Sequence, residues 1–135
     1  MGGGKALSQF ALNHIVSELN KRSYAFSFLA YVDGHPAGLL NCFEAFSTFY
    51  CKPLINIHDI MVLTVYRGVG ISHRLLEAVE ALAIEKGCCK LTLEVLSENA
   101  IAKSAYQKFG FSSYELDPEA GQAVFWQKKL SSLGM

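Results

Sequence analysis

At 135 residues the chain is the length of one domain, enough to bury a hydrophobic core without disulfide or metal staples. Apolar residues make up 51% and charged residues 18%, with twelve basic residues balancing twelve acidic ones. That balance argues against a broad nucleic-acid or anionic-membrane surface. No apolar run reaches the roughly 18 residues a membrane span needs, and the start lacks a signal-peptide hydrophobic region, so a reducing cytoplasm is the expected compartment. Cys42, Cys51, Cys88 and Cys89 show no C-x-x-C spacing. They read as reduced small hydrophobes, with no metal site expected.

Leu7, Phe10, Ala11, His14, Ile15, Val16 and Leu19 recur at helical spacing, with Ser8 close to the start. His14 on that stripe is expected to be a partly buried packing residue. Residues 24–32 read as a strand, Asp33-Gly34 as a hairpin turn, and 37–46 as the returning strand. Residues 47–53 form a loop with aromatic content, and 55–65 a long strand. The clearest helix covers 72–86, with Leu75, Leu76, Val79, Leu82 and Ala83 on one face and Gly87 as its stop. A strand over 89–96, a helix over 99–109 ended by Gly110, and a hairpin of 111–116 with 123–130 complete the chain.

Two strands joined by the 72–86 helix should be parallel, with a right-handed crossover, while the flanking hairpins are antiparallel. The expected class is therefore α+β, a single domain over residues 1–135 built on a mixed sheet of about six strands flanked by helices. The turn Arg67-Gly68-Val69-Gly70 falls at the C-terminal end of a parallel strand, where ligands of α/β units usually sit. Such a turn gathers backbone N–H groups at the positive end of a helix, which suits phosphate oxygens.

The common phosphate loops do not fit. A P-loop needs Gly-Lys-Ser/Thr, and the chain has no Gly-Lys pair. A dinucleotide fold needs G-x-G-x-x-G after the first strand, whereas this turn lies mid-chain with two glycines.

Arg67-Gly68-Val69-Gly70-Ile71-Ser72 resembles the Arg/Gln-x-x-Gly-x-Gly/Ala loop of the GNAT superfamily of N-acetyltransferases, with Ser72 in place of the last small residue. Asn99-x-x-Ala102-x-x-x-Tyr106-x-x-x-Gly110-Phe111 is similar to that family's second motif, and the resemblance spans about residues 24–130. It implies an acetyl-coenzyme A-dependent N-acetyltransferase acting by direct attack on an amine of a small molecule or protein. Backbone groups of Val62 and Leu63 would pair with the pantetheine arm like an added strand. The N–H groups of Arg67, Gly68, Val69, Gly70, Ile71 and Ser72 would hold the pyrophosphate, with Asn99 on the cofactor arm and Tyr106 as general acid. Family members usually open with one more strand, so the first strand looks missing here. A shortened chain or a homodimer paired through the sheet edge would account for that.

The residues have plainer readings too. Gly68 and Gly70 suit any tight turn, Arg67 is either a surface charge or a phosphate partner, Asn99 is a good N-cap, and Tyr106 could simply pack. Tyrosine is a weaker acid than a simple thiol, so its hydroxyl would mainly hydrogen-bond the developing thiolate. Four candidates stand for the base, in the order His58, Asp59, Glu44 and Glu94. His58 and Asp59, adjacent in a strand, are expected to point to opposite faces. An imidazole is suited to the task near neutral pH.

The 7–20 helix, the 47–53 loop and the last hairpin would shape the substrate pocket, with Phe46, Phe49, Tyr50, Phe125 and Trp126 as lining candidates. Two other classes compete with the enzyme. One is an acyl-coenzyme A-binding module without catalysis; the other is a dimeric interaction domain that binds no cofactor.

Overall fold

Ser8 opens the first helix, α1 (Gln9–Asn20), by accepting a hydrogen bond from the Ala11 N–H at 3.2 Å. The structure, a computed structural model, describes residues 8–113, Glu119 and residues 124–130. After α1 come β1 (Ala25–Val32), β2 (His35–Ser47), β3 (Lys52–Val62), a 3-10 turn at Thr64–Tyr66, α2 (Ile71–Glu85), β4 (Leu91–Leu93) and α3 (Ala100–Phe109). The sheet order is β1-β2-β3-β4, antiparallel until the final parallel pair β3–β4.

This is the expected α+β arrangement, with four strands among the described residues rather than about six. Of the proposed last hairpin, residues 114–118 and 120–123 lie outside the described residues, while 124–130 form no strand. β3 begins at Lys52, because the β2–β3 loop is only a four-residue turn in which Cys51 takes a φ of +53°. The Ser47 hydroxyl accepts the Tyr50 N–H within that turn.

Hydrophobic periodicity places α2 as read. Its Ile71, Leu75, Leu76, Val79 and Ala83 are buried against Leu40 and Cys42 of β2 and Ile55 and Ile57 of β3. Each such Leu, Ile or Val contributes roughly 1.5–3 kcal/mol by leaving water. Gly38 sets how closely α2 approaches. A Cβ there would lie 3.0 Å from Ile71 Cγ2 and 3.1 Å from the Met61 carbonyl, so a side chain would press the first turn of α2 outward by a few tenths of an ångström.

Helix α1 departs from expectation, because none of its residues is buried. It rests on the start of β1 and leaves most of its apolar stripe in water, Phe10 being 71% exposed. His14 is accordingly exposed, stacked on Phe10 at 4.3 Å with its Nδ1 at 2.7 Å from the Phe10 carbonyl. All four cysteines are free. Cys42 fits the small-hydrophobe reading, and burial pushes its thiol up to about 11. Cys51, in the turn, is exposed and does not.

Candidate functional site: an open strand edge between a glycine turn and a bulge

Parallel pairing of β3 with β4 stops at Ile57 and Leu93, yet β3 runs on to Val62 bonded, among the described residues, to β2 alone. The strands part at a β-bulge. Asn41 faces Asp59 and Cys42 faces Ile57, so His58 is the extra residue on β3. From His58 to Val62 the β4-side edge of β3 is open among the described residues for roughly 16 Å, five residues of strand.

Ladder parity decides which backbone groups line that opening. Leu63 donates to the Ala37 carbonyl at 2.9 Å, so antiparallel alternation turns the N–H and C=O of Ile60 and Val62 away from β2. The Leu63 carbonyl meanwhile accepts the Tyr66 N–H. Val62 therefore stands on the open edge as expected, and Leu63 faces β2 instead. Sequence reasoning missed Ile60. Its signal is the two-residue parity with Val62, which becomes readable only once the register is known.

The opening ends at the glycine turn. Gly68 and Gly70 adopt φ of +84° and +85°, and a Cβ on either would meet no protein atom within 4 Å. A backbone conformation that a side chain would strain is thus kept by glycine where space is left for something else. Gly68, Val69 and Gly70 donate no backbone hydrogen bond among the described residues, and the first bond of α2 is Arg74 N–H to the Gly70 carbonyl. The N–H groups of Ile71, Ser72 and His73 consequently lack intrahelical partners, as at any helix start.

No acidic residue lies in the first turn of α2, which carries His73 and then Arg74. The positive Arg74 so close to the start of the helix opposes the helix dipole, an arrangement that suits a bound anion. Arg67 reaches back along β3, its Nε donating to the Val62 carbonyl at 3.3 Å.

Asn99 caps α3, its Oδ1 accepting the Ala102 N–H at 3.1 Å. Tyr106, 8% exposed, lies in the core with its ring edge-on to Phe111. Among the described residues its hydroxyl makes no hydrogen bond and no buried polar side-chain atom lacks a partner, so the phenol oxygen is the accessible tip of a buried ring. Burial raises its pKa above the ordinary tyrosine value and keeps it a hydrogen-bond donor. Phe109, one turn on, meets the His73 ring at 5.2 Å and ties α3 to the start of α2.

The candidate bases separate. His58 and Asp59 share a face rather than opposing each other, because the bulge breaks the alternation. The His58 ring contacts Phe43 at 5.5 Å, and Asp59 accepts from Asn41 Nδ2 at 3.2 Å, both partners lying on the side of β2 away from α2. Glu44 sits on the other face, in an ion pair of 3.1 Å with Lys86 at the C-terminal end of α2. That end is roughly 22 Å of helix from the glycine turn. Glu94 is exposed, just past β4 and beside the bulge in register.

The aromatic lining does not assemble at this opening. Phe46, Phe49 and Tyr50 are exposed at the β2–β3 turn, separated from the glycine turn by roughly 35 Å of strand. Phe125 and Trp126 are exposed as well. A hollow of about 270 Å³ among Ala83, Ile84, Cys88 and Phe109 to Phe111 opens at the far end of α2 and is not part of the site.

A family model described as "Acetyltransferase (GNAT) family" matches residues 5–111. The chain belongs to that family. Its membership agrees with the enzyme class read from the two motifs. Among curated proteins, the chain is 24% identical over 115 residues to aminoglycoside N(6')-acetyltransferase type 1 of Salmonella typhimurium, covering 83% of this chain and 75% of that one. It is 39% identical over 56 residues to thialysine N-epsilon-acetyltransferase of Bos taurus, covering 42% of this chain and 33% of the other. Among solved structures, AAC(6')-Iy in complex with a bisubstrate analogue carrying coenzyme A is similar, with a TM-score of 0.75 and 23% identity over 91% of this chain and 82% of that one. An aminoglycoside acetyltransferase from an uncultured soil metagenomic sample has the same TM-score, at 21% identity over 97% and 80%.

Proposed function

We propose that this GNAT member is an acetyl-coenzyme A-dependent N-acetyltransferase that acetylates a primary amine by direct attack. The observation that carries the reading is the open β3 edge, bounded by unpaired N–H groups at one end and by the bulged His58 at the other. When bound, the cofactor supplies an activated thioester. The donors from Gly68 to Ser72 hold its pyrophosphate, with Arg67 adding positive charge beside them. Ile60 and Val62 hydrogen-bond its arm in the manner of a β-strand, and the Asn99 side-chain amide contacts the same arm.

An amine with a pKa near 10 is about one part in a thousand neutral at pH 7, so a proton must be removed before attack. His58 takes that proton, directly or through a water, and Asp59 on the same face attracts the ammonium form. The Tyr106 hydroxyl donates to the departing sulfur as the carbon–sulfur bond breaks. Glu44, held by Lys86, has no part in this chemistry.

The acceptor is a small primary amine. Support comes from the named relatives, which include aminoglycoside and thialysine acetyltransferases. No helix among the described residues is long and apolar enough to cross a membrane, which agrees with a cytoplasmic enzyme. Among the described residues β1 is an edge of the sheet, and two copies would pair through it as a homodimer, which sedimentation would test. Calorimetric titration with acetyl-coenzyme A tests the cofactor assignment, with one site per chain expected and no heat contradicting it.

A further inference from the structure

A row of polar side chains crosses three strands on the sheet face away from α2. Ser27 of β1, Asn41 of β2 and Asp59 of β3 are cross-strand neighbours in register. The Ser27 hydroxyl donates to Asn41 Oδ1 at 2.6 Å, and Asn41 Nδ2 donates to Asp59 Oδ2 at 3.2 Å. On one side the row is flanked by Tyr24, Phe43 and His58, and on the other by Leu29, Leu39 and Met61. Leu29 and Met61 are 58% and 57% exposed, so this part of the sheet face is accessible. The row ends at the bulge, where the β3–β4 opening begins.

Chain chemistry gives the row a direction. A carboxamide has a donor end and an acceptor end, and the Ser27 hydroxyl takes the acceptor end. A carboxylate only accepts, so Asp59 takes the NH₂ end, one residue from His58. The Ser27 hydroxyl, able to donate or accept, anchors the Oδ1 end of an amide so oriented.

We propose that Asp59 receives the ammonium group of the acceptor amine, and that Asn41 and Ser27 are positioning residues that aim its carboxylate. The inference rests on the acetyltransferase reading and adds the acceptor subsite to it. Ser27 reaches the amine only through two other side chains, so its effect falls on amine recognition and not on the cofactor.

The test uses an isosteric pair at Ser27, with thialysine, sisomicin and a lysine-containing peptide as acceptors. Ser27→Val and Ser27→Thr have the same shape, and both suit a strand. Only threonine keeps the hydroxyl. Ser27→Val is expected to raise the amine KM by about 3–10-fold, the worth of one hydrogen bond, while Ser27→Thr restores the original value. Asp59→Asn should raise it by roughly 10–100-fold, as expected for a charged hydrogen bond. The dissociation constant for acetyl-coenzyme A should stay unchanged in all three.

Equal amine KM values for the Val, Thr and original proteins would overturn the positioning role. An unchanged KM in Asp59→Asn would overturn the ammonium site. If the unaltered protein binds no acetyl-coenzyme A and acetylates none of the three amines, the acetyltransferase reading fails and the subsite fails with it.

Discussion

Arg67 folds back onto the strand it follows, its Nε 3.3 Å from the carbonyl oxygen of Val62. That carbonyl lies on the open edge of β3, so one side chain links the edge to the glycine turn. Removing the guanidinium would loosen the turn and take a positive charge from beside it. Arg67→Ala is expected to weaken acetyl-coenzyme A binding by roughly 10–100-fold, the scale of a charged hydrogen bond. Arg67→Lys should recover only part, since an ammonium lacks the planar fork. Calorimetry at low and high salt checks this, and the loss should shrink as salt screens the charge.

Gly70 separates folding from binding. At φ +85° a side chain costs roughly 1–2 kcal/mol, yet its Cβ would touch no protein atom. Gly70→Val should therefore fold with a lowered Tm and lose acetyl-coenzyme A binding outright. Retained binding would show that the phosphates do not pass this turn.

Tyr106→Phe removes a hydroxyl that makes no hydrogen bond among the described residues and keeps the ring packed on Phe111. Turnover should fall roughly 10–1,000-fold with cofactor affinity little changed. A second readout follows from burial, which raises the Tyr106 pKa. A raised folded value means a contribution to stability that is intact below the unfolded value of about 10 and is lost as the pH rises through the folded one. Tm should thus fall less steeply at alkaline pH in Tyr106→Phe than in the original protein.

Glu44 provides the contrast among the carboxylates. Its ion pair with Lys86 is partly exposed and is worth about 0–1 kcal/mol. Glu44→Gln should leave turnover within twofold and lower Tm slightly. A tenfold loss of turnover would return Glu44 to the list of bases.

Periodicity and turn chemistry made most of the fold legible. The α2 face, the Asp33-Gly34 hairpin, the Asn99 cap and the glycine turn are local signals, carried by residues within a few positions of one another. Register was not legible, because it depends on which residues of separate strands meet. A bulge at His58 therefore placed His58 and Asp59 on one face against simple alternation, and ladder parity exchanged Leu63 for Ile60 on the open edge. Pairing hid Glu44 in the same way, since nothing local ties it to Lys86, 42 positions on. Helix α1 misled for a different reason. An apolar stripe states what a helix can bury, and α1 contacts β1 without burying any of its residues.

Release of free coenzyme A thiol from acetyl-coenzyme A, followed with and without added primary amines, tests the central claim most directly. The account predicts release that depends on an amine, saturates with it and falls in Tyr106→Phe. Saturable acetyl-coenzyme A binding with no amine-dependent release from any amine would contradict it and would mark the chain as a binding module.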